Sequence, residues 1–100
     1  MIIFYVPCKD KKEAYNIAKE LIKEKLVACA NIIPTDSVYE WEGKIVEEKE
    51  VILMMKTINK HEEVVKRRTM HLHTYDIPAI VRINTKVNPE YLFWMEKFLK

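Results

Sequence analysis

The apolar residues of the chain alternate every second position in some segments and follow a helical period in others. Residues 1–6 are apolar on both alternating faces, which predicts a strand covered on both sides near the centre of a sheet. From Ala14 to Leu26 the apolar residues recur at the i, i+3, i+4, i+7 spacing of one buried helix face. Asp10 and Glu13 precede this stripe as an N-cap and its capping-box partner. The pattern therefore predicts a strand followed by an amphipathic helix.

The stretch 27–57 predicts a long β-hairpin. Gly43 is the only glycine of the chain, and a glycine accepts the positive φ of a tight turn, so the turn is predicted at Glu42 and Gly43. Pro34 donates no ladder hydrogen bond, so a bulge or kink is expected over residues 34–36. Each arm would exceed roughly ten residues, whereas strands usually have about 5–6. Since one small domain cannot easily bury such a ribbon, its excess is predicted to meet another copy of the chain.

The remaining pattern completes a mixed fold. A second helix is predicted with Asn59 as N-cap and an end near Leu72. Residues 79–87 alternate as a strand, and Asn88 and Pro89 read as the N-cap and first residue of a last helix. With right-handed crossovers, the order βαββαβ plus a C-terminal helix predicts an α+β, ferredoxin-like sandwich. This fold class hosts many functions and selects none.

Length and composition narrow the classes of function. One hundred residues predict a single domain, 1–100. The uncharged apolar runs are far shorter than the ~20 residues of a membrane span, and no secretory signal precedes the first strand, so a cytoplasmic location without a membrane partner is expected. A net charge of +2 gives no bulk electrostatic case for nucleic acid. Abundant Lys and Glu, without any glutamine, favour a thermostable protein.

Four segments, in this order and at this spacing, resemble the CutA divalent-cation-tolerance family. They are ACAN at 28–31, YEWEGK at 39–44, Glu50 leading to KT at 56–57, and HTYDIP at 73–78. The resemblance implies a ferredoxin-like homotrimer whose long hairpins pair across subunits. It also implies a role in tolerance or response to divalent metal ions, with copper or another divalent cation as ligand. No enzymatic activity is expected from it.

The resemblance further implies a cleft between subunits. Carried over by position, its residues are Cys29, Trp41, Glu50, Lys56, His73 and Tyr75. His73 and Cys29 are the candidate metal ligands, in a site assembled across subunits. Two departures from the family pattern are that Thr74 replaces a common proline and that Cys8 matches no family position.

Each candidate ligand also has a purely structural interpretation. His73 fits a hydrogen-bonded histidine at a helix C-terminus, where the helix dipole favours imidazolium. Cys29 fits a small buried hydrophobic residue. Trp41, Glu50 and Lys56 fit packing and ion pairing within a trimer. The residue types alone leave both interpretations open.

Three other functions are compatible with a chain of this fold class. An acylphosphatase-like enzyme needs a phosphate-binding loop and arginine after the first strand, and residues 6–10 contain neither glycine nor arginine. An RNA-binding module needs aromatic residues on both central strands, and residues 79–87 have none. The alternative that remains is a structural or signalling trimer that binds a small molecule or a protein partner, without a physiological metal.

Overall fold

Four strands form one antiparallel sheet, and three helices accompany it. The computed structural model describes residues 1–100. The elements are β1 (Ile2–Cys8), α1 (Lys11–Lys23), β2 (Cys29–Trp41), β3 (Lys44–Thr57), a 3₁₀ turn (Asn59–His61), α2 (Glu62–Leu72), β4 (Val81–Asn84) and α3 (Pro89–Phe98). The strands lie in the order β2-β3-β1-β4, so β1 is central, as its apolar sequence predicts. None of the helices combines the length and hydropathy that a membrane crossing requires.

One face of the sheet carries the main core. Residues of β1 and β3 on that face pack with the apolar stripe of α1 and with Val65 of α2. Phe4, Val6 and Leu53 are at most 1% exposed. Burying an apolar side chain of this size contributes roughly 1.5–3 kcal/mol, so this layer is the main source of stability.

The second face of the sheet is less covered than the sequence predicts. Ile3 and Tyr5 of β1 are only half-buried, although both faces of this strand are apolar. By strand register their neighbours share this face, which we call the open face and define by Ile3, Tyr5, Ile33, Met54, Val81 and Ile83. No helix layer covers the open face within the single chain, so its apolar residues remain available for contact with another molecule.

The hairpin of β2 and β3 is continuous. Trp41 lies opposite Lys44 beside the turn, and Pro34 lies opposite Val51 in the same unbroken register. The bulge predicted at Pro34 is therefore wrong. Because β2 is an edge strand, it tolerates a proline whose nitrogen faces the unpaired side. The ribbon lengthens the molecule, which measures 47 × 25 × 21 Å.

The turn of the hairpin is confirmed at Glu42 and Gly43. Both residues have positive φ, 50° and 79°, which is the backbone of a two-residue type I′ turn. The space around Gly43 is open, since an added Cβ would meet nothing within 4 Å. The left-handed backbone alone therefore selects the residues of this turn.

Replacing Glu42 with asparagine is expected to raise the free energy of unfolding by about 0.5–1 kcal/mol. Asparagine accepts the left-handed region better than glutamate, and Asn-Gly is the preferred type I′ pair. Chemical denaturation measures the change. Gly43→Ala is the opposing control, and should destabilise by about 1 kcal/mol because alanine pays a steric cost at φ +79°. A stabilising Gly43→Ala would contradict this account.

The helix starts agree with the sequence at α1 and differ at α2. Asp10 caps α1 by accepting a 2.9 Å hydrogen bond from the backbone N–H of Glu13. The predicted Asn59 cap of the second helix is wrong, because Asn59 is the first residue of a 3₁₀ turn that precedes α2. The side chain of Asn59 instead accepts a 2.7 Å bond from Arg82 Nη2 on β4.

The last strand is shorter than predicted, and the last helix begins where expected. β4 comprises only Val81–Asn84 of the predicted 79–87, because only these residues pair with β1. The helix α3 starts at Pro89 after Asn88. Its residue Met95 forms a second, smaller core with Ala28 and Leu99.

Candidate functional site

The segment that follows α2 crosses the end of β1 and fixes the ring of His73. His73 Nε2 lies 2.8 Å from the carbonyl oxygen of Pro7, and Nδ1 accepts a 3.1 Å hydrogen bond from the backbone N–H of Tyr75. A carbonyl only accepts, so Nε2 carries the proton and Nδ1 offers a lone pair. These two hydrogen bonds fix the orientation of the ring, which is buried at 8% exposure.

The carboxylate of Glu13 joins α1 to the segment that follows α2 by hydrogen bonds. Its Oε1 accepts a 3.0 Å bond from the N–H of Lys9, and its Oε2 accepts a 2.8 Å bond from the N–H of Thr74 and another from the Thr74 hydroxyl. Burial would raise the pKa of Glu13, but these hydrogen bonds lower it below its ordinary value. The carboxylate is 3.7 Å from His73 Nδ1, which has no proton to donate to it. Glu13 therefore stays ionised while almost fully buried.

Cys8 completes a buried group that we call the Cys8 cluster: Cys8, Glu13 and His73. One ligand atom from each residue lies within 4.8 Å of the other two. The Cys8 thiol donates to the carbonyl oxygen of Val6 at 3.6 Å. Burial, followed by the charge of Glu13, raises the pKa of this thiol to about 12.

The donor set of the Cys8 cluster fits a divalent ion of intermediate softness. Sulfur, imidazole nitrogen and carboxylate oxygen are the donors that copper and zinc use in proteins. Every one of these groups already has a protein partner, so an ion held there would displace the N–H of Tyr75 from Nδ1 and the proton from Cys8. The arrangement is a satisfied hydrogen-bond network with the chemistry of a three-ligand metal site.

A second feature lies on the other side of the same segment. Tyr75 donates a 2.6 Å hydrogen bond to Glu50 Oε2, and Tyr39 donates to Glu48. Burial, and then the bond to Glu50, raise the pKa of Tyr75 well above its usual range, so its hydroxyl remains protonated. These side chains belong to an open pocket of about 420 Å³. We call it the aromatic pocket, and its lining residues are Tyr39, Trp41, Val46, Glu48, Glu50, Tyr75 and Ile77.

The predicted cleft residues fall into two groups in the single chain. Trp41, Glu50 and Tyr75 line the aromatic pocket, and the His73 and Tyr75 rings are 4.7 Å apart between centroids. The other two, Cys29 and Lys56, face each other towards the opposite end of the ribbon.

Cys29 and His73 are not neighbours within one chain. Cys29 pairs with Lys56 of β3. His73 contacts the carbonyl oxygen of Pro7, and Pro7 pairs with Ile52 of β3. Lys56 and Ile52 are four residues apart on this strand. Four residues of strand span about 13 Å. A site shared by Cys29 and His73 therefore stays a prediction for an assembly of several chains.

Sequence reasoning missed the roles of Glu13 and Cys8 beside His73. It assigned Glu13 only a capping role, and Cys8 matched no family position. The sequence does place both residues within a few positions of the Asp10 cap. The third member, however, comes from 60 residues further along the chain, and no local spacing reveals such a contact.

Known proteins resemble the chain along its whole length. A family model described as CutA1 divalent ion tolerance protein matches residues 2–98. The divalent-cation tolerance protein CutA of Pyrococcus horikoshii is 46% identical over 96 residues, which are 95% of this chain and 94% of that protein. The protein of the same name from Thermus thermophilus is 37% identical over 99 residues, 97% of this chain and 94% of its own.

Solved structures give the same match. The crystal structure of CutA1 from Pyrococcus horikoshii superposes with a TM-score of 0.95 at 44% identity, covering 100% of this chain and 99% of its own. The structure described as the periplasmic divalent cation tolerance protein CutA from Archaeoglobus fulgidus has a TM-score of 0.93 at 32% identity, covering 100% of both chains.

Proposed function

Since this chain belongs to the CutA1 divalent ion tolerance family, we propose that it acts in tolerance of divalent metal ions by binding copper or a similar ion at a cleft between subunits. The observation that carries this proposal is the buried ring of His73, one ligand atom of which lies within 4.8 Å of a carboxylate oxygen of Glu13 and of the thiol sulfur of Cys8. Metal-ligating histidines characteristically have the other ring nitrogen bonded to a carbonyl or carboxylate, as Nε2 is bonded to Pro7.

The proposed assembly is a homotrimer of ferredoxin-like subunits. The strand order β2-β3-β1-β4 supports this fold class. The open face and the unpaired edge of β2 support self-association, because both present groups that another copy of the chain can cover. Val38 and Ile45, near the end of the ribbon, are 65% and 71% exposed, as expected of surfaces that meet a neighbouring subunit.

His73 is the proposed ligand common to two versions of the metal site. In the first version, Cys29 of a neighbouring copy supplies the thiolate, as the family resemblance implies. In the second, Cys8 of the same chain supplies it, together with Glu13. A bound ion would link these side chains and hold the segment after α2 against the end of β1.

Calorimetric titration of Cu²⁺ and Zn²⁺ into the purified protein tests the proposal. His73→Ala is expected to abolish binding or weaken it about 10-fold or more, because it removes the imidazole ligand. Cys29→Ala and Cys8→Ala decide between the two versions, since only the thiol that ligates should matter. His71→Ala is the matched control, because His71 is exposed and two residues away.

The outcomes of this titration distinguish the two versions of the metal site from each other and from the absence of a metal function. Binding lost in His73→Ala and Cys29→Ala, but kept in Cys8→Ala, supports the site between subunits. Binding lost in His73→Ala and Cys8→Ala supports the Cys8 cluster. If no ion binds, or if His73→Ala and His71→Ala bind alike, the metal function is refuted.

A second candidate function is a structural or signalling protein that binds a small molecule. The aromatic pocket favours it, because a concave, mostly apolar surface with a few polar groups is typical of ligand sites.

A cytoplasmic location remains a prediction for this chain, since the relative from Archaeoglobus fulgidus is described as periplasmic.

A further inference from the structure

We propose that Thr74 determines which ions bind at His73. Its backbone N–H and its hydroxyl hold the carboxylate of Glu13 out of the ligand set, so the site selects ions that need only nitrogen and sulfur ligands. This inference rests on the proposed metal function, because it concerns the ion that His73 binds. Thr74 stands where the family pattern commonly has proline, a residue that could donate neither bond.

Thr74 occupies the lone pairs of one oxygen of Glu13. The backbone N–H of Thr74 donates to Oε2 at 2.8 Å, and the Thr74 hydroxyl donates to the same oxygen. A carboxylate oxygen has about two lone-pair sites, so Oε2 has none left for an ion. Hydrogen bonds to an ionised acceptor are about twice as strong as neutral ones. An ion therefore displaces Thr74 from Oε2 only at a considerable cost.

The position of Oε2 would otherwise suit an ion. Oε2 lies 3.7 Å from His73 Nδ1. Two ligand atoms at about 2.1 Å from a tetrahedral ion are roughly 3.4 Å apart, so distance does not prevent Glu13 and His73 from sharing an ion. Glu13 is only 6% exposed, and its Oε1 accepts the N–H of Lys9 at 3.0 Å. These contacts hold the carboxylate in the orientation that Thr74 has occupied.

The ligands that remain favour one class of ion. His73 Nδ1 accepts only the neutral N–H of Tyr75, at 3.1 Å, so this nitrogen exchanges its partner more easily than Glu13 does. With a thiolate from Cys8 or Cys29, the available ligand atoms are nitrogen and sulfur. Such a set suits copper and zinc, whereas Mn²⁺ prefers carboxylate and water oxygens. Glu13 then contributes negative charge beside the ion and no ligand atom.

Titration of Mn²⁺, followed by the electron paramagnetic resonance signal of the free ion, tests this selectivity. Thr74→Val removes the hydroxyl and keeps the backbone N–H, so it frees one lone pair of Oε2 while the segment stays attached to α1. We expect it to raise the Mn²⁺ affinity about tenfold, the equivalent of one hydrogen bond to a charged group. Calorimetry with Zn²⁺ should show a smaller gain. Thr74→Pro removes both donors and should raise the Mn²⁺ affinity further.

Two controls accompany these variants. Thr74→Ser keeps both donors and should restore the ion preference of the parent protein. Thr85→Val is the matched control at another site, because the Thr85 hydroxyl donates to the carbonyl oxygen of Lys86. Its ion preference should equal that of the parent.

A double substitution shows whether Thr74 acts through Glu13. In Thr74→Val combined with Glu13→Gln, the gain in Mn²⁺ affinity should disappear, because the freed carboxylate is no longer there. Two residues that act through one contact give such non-additive effects. A gain that persists in the double variant would overturn the proposal.

Hydrogen exchange of two neighbouring amides gives a second measurement. When Zn²⁺ binds to the parent protein, the amide of Tyr75 should exchange faster, because His73 Nδ1 turns from this N–H to the ion. The amide of Thr74 should stay protected, because Glu13 keeps its hydrogen bonds. Faster exchange at Thr74 on Zn²⁺ binding would mean that the ion had taken Glu13, contrary to the proposal.

Failure of this inference differs from failure of the metal function. Zn²⁺ binding that depends on His73, with equal Mn²⁺ affinity in Thr74→Val and the parent, overturns the role of Thr74 alone. If neither the parent nor any Thr74 variant binds an ion, both are refuted. Mn²⁺ binding by Thr74→Val, but not by the parent, supports the role of Thr74 even if the parent binds no ion.

Discussion

Replacing Glu13 with alanine is expected to lower the free energy of unfolding by about 3–5 kcal/mol. The substitution removes the acceptor of three hydrogen bonds, from the N–H of Lys9 and from the N–H and hydroxyl of Thr74. A hydrogen bond to a charged group such as this carboxylate contributes roughly 1.5–3 kcal/mol. The effect is therefore larger than that of most single substitutions, which destabilise by about 0.5–3 kcal/mol.

Urea denaturation measures this effect, with Glu96→Ala as the control on an exposed position of α3. The control should change stability by less than about 0.5 kcal/mol. Glu13→Gln should fall between them, because its amide oxygen can still accept a bond while its NH₂ cannot. Equal stability of Glu13→Ala and Glu96→Ala would show that Glu13 does not hold α1 to the segment after α2.

The contribution of Glu13 also depends on pH in a defined direction. Hydrogen bonds outweigh burial and lower its pKa in the folded state below the ordinary 4.5. The unfolded chain therefore takes up the proton first as the pH falls, so the stability from this carboxylate is complete above about pH 4.5 and is lost as the pH drops through the folded pKa. In Glu13→Gln the stability should vary less with pH below 4.5. An unchanged slope would contradict this assignment.

Replacing Met54 with aspartate is expected to convert the proposed trimer into monomers. Met54 lies in the middle of the open face, directly opposite Tyr5 on β1. A charge placed in an apolar interface without a partner costs several kcal/mol for each copy. Three copies of the 12.0 kDa chain have a mass of about 36 kDa, so light scattering distinguishes the two states directly.

The same substitution at Met70 serves as the control for assembly. Met70 is 55% exposed on α2, which packs on the other face of the sheet. Met70→Asp should keep the mass of the parent protein. Trimers of Met54→Asp would show that the open face is not the interface, and a monomeric parent protein would refute the proposed assembly itself.

Elements set by local chemistry follow from the sequence alone. The turn at Gly43 can be predicted because its positive φ favours glycine, and the chain has a single glycine. The start of α1 follows because Asp10 reaches only to Glu13. Elements decided by distant partners do not follow. Pro34 disrupts nothing because β2 lies at the edge of the sheet, and Asn59 gives up its capping role because Arg82 reaches it.

The candidate site shows the same division. Proximity of Glu50 and Tyr75 was implied only by the family resemblance, since 25 residues separate the two partners of their hydrogen bond. The Cys8 cluster had no signal of its own, because its geometry depends on how α2 ends relative to β1. Periodicity predicts which face of an element is buried, and it carries no information about which element ends meet.

The hydrogen bonds of Glu13 and His73 have a consequence for the order of folding. The Glu13–Thr74 and His73–Pro7 contacts join residues 61 and 66 positions apart. Closing loops of this length costs entropy before any contact forms, and such long-range contacts slow folding. During synthesis, the first helix and the whole ribbon emerge before residue 73 exists. A metal ion bound at His73 would therefore stabilise a completed fold and could not act as its nucleus.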